Sequence, residues 1–195
     1  MARTLSTMTP LGTAAPNFDL PELLRGGRVR LEDFTRHPAL LVMFICAHCP
    51  FVQHVESELA QLGNESQRRG VGVIAISSND AASYADDNPD GLRAQGRRLG
   101  FEFPYAYDED QVVARTFGAA CTPDFFVYDQ HHHLAYRGEM DASRPGNAVP
   151  VTGNELRAAL DALLAGHRPA AVQRPSIGCS IKWKEGAGER AASSS

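Results

Sequence analysis

The chain has 195 residues, of which 43% are hydrophobic and 22% are charged. These proportions are typical of a globular protein with one main hydrophobic core. Its formal net charge of -4 provides no broad positive field, so we expect neither nucleic acid nor an anionic membrane surface as a partner. The first 16 residues lack the apolar segment of a signal peptide, and no segment reaches the roughly 20 apolar residues of a membrane span. We therefore expect a cytoplasmic protein without membrane segments.

Strand and helix patterns alternate along the chain. The uninterrupted apolar segment at residues 39–45 predicts a strand that is buried on both faces of a parallel sheet. Pro50 suits the first turn of a helix, and apolar residues at spacings of three and four continue that helix toward Gly63 or Gly70. The other predicted strands cover residues 17–20, 29–31, 71–77, 103–107, 124–128 and 134–137, and the other predicted helices cover residues 91–99, 111–117 and 156–164.

Local patterns predict how some of these elements begin and connect. Asp108 and Asp110 are candidate N-caps of the helix at residues 111–117. Thr152 and Glu155 have the spacing of a capping box before the last helix. Residues 129–133 have the length of a hairpin connection, and we interpret their three histidines as a solvated turn rather than a metal site.

Two cysteines, Cys46 and Cys49, stand between the buried strand and the helix that begins at Pro50. Their spacing allows a small, reversible disulfide ring. The positive pole of the helix favours a thiolate, so we predict Cys46 as the nucleophile and Cys49 as the more buried, resolving thiol. A protonated His48 would stabilise the Cys46 thiolate and make this redox pair more oxidising, although a solvent-facing role as a loop cap is the alternative.

Metal binding is a second interpretation of these residues. Cys46, His48, Cys49 and the later Cys179 offer thiolate and imidazole ligands that suit zinc or copper. Structural zinc sites usually combine two such groups of ligands, and this sequence contains one. We predict no metal and no organic cofactor, and we keep a redox-sensing or metal-binding adaptor without turnover as an alternative function.

Three longer motifs carry a family resemblance. They are FICAHCPFV at residues 44–52, CTPDFF at residues 121–126 and GCSIKWK at residues 178–184. Their arrangement resembles the thioredoxin superfamily, and the motifs are similar to its peroxiredoxin-like branch. Members of that branch are described as relatives of alkyl hydroperoxide reductase and thiol-specific antioxidant, or as thiol-disulfide isomerases. The resemblance implies a thiol-disulfide oxidoreductase that uses a protein or small-molecule disulfide as substrate and a thiol as electron donor.

The resemblance also implies an α/β, thioredoxin-like fold in which helices flank a central mixed sheet. We expect this domain at residues 16–166, after an N-terminal β extension at residues 1–15. Residues 167–184 would form a C-terminal segment that carries Cys179. The Ala/Ser-rich residues 185–195 are expected to be a disordered tail.

Within that fold, the resemblance places Pro123 in a cis peptide beside the redox pair, with the backbone of Thr122 exposed as a binding edge for an extended substrate. Peroxiredoxins have their peroxide-reactive cysteine at the position of Cys49 and a threonine three residues earlier, where this chain has Cys46. Replacing the hydroxyl that orients the peroxide with a second thiol favours disulfide exchange over peroxide reduction. Peroxiredoxin-like thiol peroxidase activity is therefore the alternative.

The agent of proton transfer is left open by the sequence. Thioredoxins have a buried aspartate six residues before the first cysteine, where this chain has Leu40. Water, His48, Glu56 or Asp124 would have to act on Cys49 instead.

Cys121 and Cys179 are candidate auxiliary thiols. Cys121 directly precedes the Thr-Pro motif, so we expect it near the Cys46 side of the redox pair. Cys179 follows the last helix by about a dozen residues, enough extended chain to return to the redox pair. Lys182 and Lys184 would lower its pKa if they stay close. We hypothesise that Cys179 exchanges with the redox-pair disulfide or with Cys121, the alternative being a structural cysteine of the tail.

Overall fold

The strands and helices follow the alternation that the sequence predicts. A computed structural model describes residues 3–184. The elements, in chain order, are β1 (Arg3–Leu5), β2 (Asp19–Pro21), β3 (Arg28–Arg30), β4 (Ala39–Phe44), α1 (Pro50–Arg68), β5 (Gly72–Ser77), α2 (Pro89–Arg98), β6 (Tyr105–Tyr107), α3 (Val112–Phe117), β7 (Cys121–Thr122), β8 (Asp124–Asp129), β9 (Leu134–Gly138), α4 (Asn154–Leu164) and β10 (Ile177–Ser180), with 3₁₀ turns at Leu31–Phe34 and Ala85–Asp87. Within residues 3–184, no helix is both long and apolar enough to cross a bilayer.

The central sheet has five strands in the order β6-β5-β4-β8-β9. β4 pairs in parallel with β5 and antiparallel with β8, which makes the sheet mixed. Every residue of β4 is buried, because both faces of the sheet are covered. Leu41 and Met43 join the core under α1, α2 and α4, whereas Leu40 and Phe44 join the core under α3. The expected α/β, thioredoxin-like architecture is confirmed.

A second, three-stranded sheet joins the two ends of the described chain. Its order is β1-β10-β7, and both pairings are antiparallel. β1 lies within the expected N-terminal β extension, whereas the sequence patterns did not predict β7 or β10. The N-terminal extension and the C-terminal segment are therefore not separate appendages, because β10 lies between β1 and the strand that leads into Pro123. Residues 185–195, expected to be a disordered tail, lie outside the described residues.

Two helix starts differ from the sequence predictions. The N-cap of α3 is Gln111, in the left-handed region, rather than either expected aspartate. Asp108 instead lies beneath the first turn and accepts hydrogen bonds from its backbone N–H groups. The predicted capping box of α4 is wrong, since the N-cap is Gly153 without a side-chain bond. The buried carboxylate of Asp141 accepts the N–H groups of Thr152 and Gly153, both at 2.7 Å, in its place.

Candidate redox site

The redox pair lies where β4 ends and α1 begins. Pro50 is the first helical residue, so the N-cap of α1 is Cys49, with extended backbone angles of φ -73° and ψ 121°. Cys46 lies three residues before the N-cap. The second cysteine of the motif is therefore the one at the positive pole of the helix, whereas we expected that pole to act on Cys46.

Thr122 contacts both sulfur atoms. Cys46 Sγ lies 3.4 Å from Thr122 Oγ1, and Cys49 Sγ donates a hydrogen bond to the Thr122 carbonyl oxygen at 3.2 Å. The peptide bond between Thr122 and Pro123 is cis, as expected, and Pro123 lines a small groove together with Phe51. The two cysteine side chains are completely buried and hydrogen-bond to each other.

The surroundings of the two thiols shift their pKa values in opposite directions. The hydrogen bond from Cys46 lowers the pKa of Cys49 to about 5, helped by Thr122, Cys179 and the backbone N–H of Val52, which together outweigh burial. The same hydrogen bond raises the pKa of Cys46 well above its usual range, and burial and the Asp87 carboxylate add to that increase. The directions of the two shifts favour ionisation at Cys49 over Cys46, the opposite of the expected assignment, and ionisation would remove the hydrogen bond from Cys49 Sγ to the Thr122 carbonyl oxygen.

A buried carboxylate that sequence analysis missed holds the loop between the two cysteines. Asp87 accepts the backbone N–H groups of Ala47 at 2.8 Å and His48 at 3.1 Å. Its other oxygen accepts hydrogen bonds from the His48 ring and from the amide of Asn79. Asp87 lies in the turn before α2, 40 residues along the chain from Ala47, and no local sequence pattern connects it with the redox pair.

His48 is held inside the site rather than facing solvent. Its side chain is only 12% exposed, and its ring stacks on Tyr84 with the centroids 4.4 Å apart. His48 Nδ1 lies 3.9 Å from Cys46 Sγ and is also bonded to Asp87. The solvent-facing alternative is therefore wrong, and His48 lies where its charge would influence Cys46.

The same three side chains are the potential metal ligands. Atoms of Cys46, His48 and Asp87 all lie within 4.8 Å of one another. This set differs from the ligands considered from the sequence, because a carboxylate takes the place of Cys49 and Cys179. A cation bound there would have to displace the hydrogen bond between His48 Nδ1 and the Asp87 carboxylate.

The two carboxylates proposed for proton transfer have different surroundings. Glu56 forms a two-bond ion pair with Arg98 at 2.8 and 3.0 Å, which holds it on the surface of α1. Asp124 is fully buried, and burial raises its pKa to about 8. It also contributes to raising the pKa of Cys121, for which burial is the main cause. Burial thus keeps the Asp124 carboxyl protonated to a higher pH than an ordinary aspartate, and this side chain interacts with Cys121.

Cys179 reaches the redox pair, as its distance along the chain allowed. It is the register partner of Thr122 across β10 and β7, and its side chain hydrogen-bonds to Cys49. Lys182 does lower the pKa of Cys179, but burial and the bond to Cys49 outweigh it and raise that pKa to about 12. Lys182 Nζ bonds to the Ser180 hydroxyl at 3.3 Å instead.

The expected substrate edge is already paired. β10 lies along β7, with Ser180 opposite Cys121 and Cys179 opposite Thr122. An extended substrate at Thr122 would therefore have to displace the strand that carries Cys179.

Two solved structures are similar along nearly the whole chain. An uncharacterized conserved protein from Geobacillus kaustophilus is 51% identical, with a TM-score of 0.93, and the match covers 95% of this chain and 98% of that one. A hypothetical protein from Sinorhizobium meliloti is 45% identical, with a TM-score of 0.91, covering 94% and 100%. No curated protein matches the sequence significantly.

More distant structures share the fold. The thioredoxin domain of a thiol-disulfide oxidoreductase from Bacteroides vulgatus is 17% identical, with a TM-score of 0.56, over 70% of this chain and 90% of that one. Peroxiredoxins are also among the structural neighbours. Residues 11–137 match the AhpC/TSA family, and because this match covers more than half of the chain, the protein belongs to the AhpC/TSA family.

Proposed function

We propose that the protein is a thiol-disulfide oxidoreductase in which Cys49 attacks the substrate disulfide and Cys46 resolves the product. The observation that carries this proposal is the position of Cys49 as the N-cap of α1, where the positive pole of the helix favours a thiolate. The neighbouring Cys46 thiol lowers the pKa of Cys49 further. Membership of the AhpC/TSA family supports a thiol redox enzyme.

The steps follow from the charge on the pair. The Cys49 thiolate attacks one sulfur of the substrate, forms a mixed disulfide and releases the other sulfur as a thiolate. The Cys46 sulfur then attacks Cys49, and its proton goes to the departing substrate thiolate. The pair becomes a disulfide while the substrate disulfide becomes two thiols. An external thiol donor returns the pair to its reduced form.

Access to the pair requires a movement. Neither sulfur is exposed, and the stacked rings of His48 and Tyr84 lie on the Cys46 side. We infer that the loop of Ala47 and His48 moves before a substrate sulfur reaches Cys49.

A small aromatic disulfide tests the order of the steps, since it releases a coloured thiol. We expect Cys49→Ser to abolish release, and Cys46→Ser to release the first thiol with little change. Cys121→Ser is the matched control, because that cysteine is buried nearby but outside the pair. Full activity of Cys49→Ser would show that the assigned roles are wrong. Steady turnover with a thiol donor would separate an enzyme from a redox-sensing or metal-binding adaptor.

Thiol peroxidase activity is the second candidate, because the thiolate is at the position of the peroxide-reactive cysteine. In that reaction Cys49 would attack one oxygen of hydrogen peroxide, the O–O bond would break and the other oxygen would leave as water. The sulfenic acid formed on Cys49 would then condense with the Cys46 thiol to a disulfide and release a second water. Cys46 occupies the position of the threonine that peroxiredoxins use. We therefore expect peroxide to react more slowly than a small disulfide with the same reduced protein, measured as loss of thiols over time.

A further inference from the structure

β10 is fitted closely against the residues that precede Pro123. Cys179 pairs with Thr122, and Gly178 lies so close that an added Cβ would fall 2.0 Å from the Thr122 carbonyl oxygen. The same carbonyl oxygen lies 3.2 Å from Cys49 Sγ. The close approach of β10 thus places a thiol-bearing residue next to the nucleophile.

Cys49 consequently has a thiol partner on two segments of the chain. Cys46 contacts it from the loop before α1, and Cys179 contacts it from β10. All three side chains are buried in one hydrophobic cluster. Cys49 therefore has a neighbouring thiol from each of the two segments, and Thr122 contacts both Cys49 and the strand that carries Cys179.

We propose that Cys179 is a second resolving thiol, which forms a disulfide with Cys49 as an alternative to the Cys46–Cys49 disulfide. This inference rests on the proposed function, because it requires a disulfide at Cys49. The sequence analysis left the partner of Cys179 open between the redox pair and Cys121. The contacts with Cys49 and Thr122 select Cys49.

The exchange involves no net oxidation. The Cys179 sulfur attacks Cys49, the bond between Cys49 and Cys46 breaks, and the proton of Cys179 goes to the Cys46 sulfur that leaves. In a mixed disulfide, the same attack releases the substrate thiol, which takes the proton. The second disulfide would join β10 covalently to the start of α1. The strand on the expected substrate edge would then be fixed in place.

The test uses the full chain with Cys46→Ser and a small aromatic disulfide. Release of the first thiol reports attack by Cys49. If Cys179 resolves, a second equivalent of thiol follows, and peptide mapping finds Cys49 linked to Cys179. In Cys46→Ser/Cys179→Ser the mixed disulfide should last at least about tenfold longer. The matched control is Cys46→Ser/Cys121→Ser, which should still release both equivalents.

The outcomes separate the two proposals. Absence of the first release in Cys46→Ser would overturn the proposed function and this inference with it. A first release followed by an equally stable mixed disulfide with and without Cys179 would overturn the inference alone. Wild-type protein provides a measurement that needs no variant: after oxidation and acid trapping, mapping should find both the Cys46–Cys49 and the Cys49–Cys179 disulfides. A map with the Cys46–Cys49 disulfide alone would contradict the inference.

Discussion

At the scale of single residues, the position of one proline decides the chemistry of the redox pair. Pro50 begins α1, which makes Cys49 the N-cap and leaves Cys46 in the preceding loop. The helix pole, the Val52 N–H and two neighbouring thiols then favour one thiolate. A motif of two cysteines does not by itself determine which sulfur is ionised, because that depends on where the helix begins.

The thiolate can be detected without reagent access to the buried sulfurs. We expect the ultraviolet absorbance of the reduced protein to rise with pH with a midpoint near 5, the pKa of Cys49. Cys49→Ser should lack this transition. Cys46→Ala should move the midpoint upward, because the strongest hydrogen bond to the thiolate is lost. A midpoint that persists in Cys49→Ser would assign the thiolate to another cysteine.

Asp87 holds the loop through three hydrogen bonds and accepts a fourth from Asn79, so its charge and its geometry are both testable. In Asp87→Asn the amide oxygen still accepts the backbone N–H groups, but the amide nitrogen faces the donors of His48 and Asn79. We expect a loss of about 1–3 kcal/mol in the free energy of unfolding, measured with urea. The pKa of Cys46 should fall as well, because a nearby negative charge is removed.

The adjacent Asp86 is exposed and provides the control. Asp86→Asn should change the free energy of unfolding by less than about 0.5 kcal/mol. Equal stability of the two variants would show that the bonds to Asp87 do not hold the loop.

At the scale of elements, the second sheet determines which thiols meet. β7 has two residues and β10 has four, yet their pairing brings Cys179 from the C-terminal segment to the start of α1. The close contact of Gly178 with Thr122 shows that this placement depends on one residue without a side chain.

Gly178→Ala tests that contact. The added methyl group would overlap the Thr122 carbonyl oxygen, so β10 must shift away from β7, and we expect a loss of about 1–3 kcal/mol in the free energy of unfolding. The yield of the Cys49–Cys179 disulfide should fall with it. Gly166→Ala is the control: it has a positive φ of 75° but no atom within 4 Å of the added Cβ. Its strain should cost about 1 kcal/mol and leave the disulfide yield unchanged.

Elements with strong local patterns were predictable from the sequence, and paired segments without them were not. The apolar segment of β4 and the proline of α1 determine both elements locally, and their observed starts agree with the predictions. β1 and β10 pair across more than 170 residues and have no apolar alternation of their own. Asp87 acts on the redox pair from a turn about 40 residues away. Such contacts depend on topology, which composition and periodicity do not encode.

At the scale of the whole molecule, two buried acids link stability to pH with opposite signs. Burial raises the pKa of Asp124 from 3.8 to about 8, so its stabilising contribution is present below about pH 4 and is lost as the pH rises through 8. The pKa of Cys49 falls from 9.0 to about 5, so its contribution is present above 9 and is lost as the pH falls through 5. Between pH 5 and 8 the two effects oppose each other.

Replacing Asp124 or Cys49 should therefore leave the pH dependence of the free energy of unfolding that the other group contributes. Each group changes the free energy of unfolding by at most about 1.4 kcal/mol per pH unit. Urea unfolding of the reduced protein at several pH values between 5 and 8 measures the slopes. Relative to wild type, Asp124→Asn should become more stable as the pH rises, and Cys49→Ser less stable. If the stability difference between Asp124→Asn and wild type stays constant over this interval, the buried carboxyl does not titrate there, and Asp124 does not couple folding to pH.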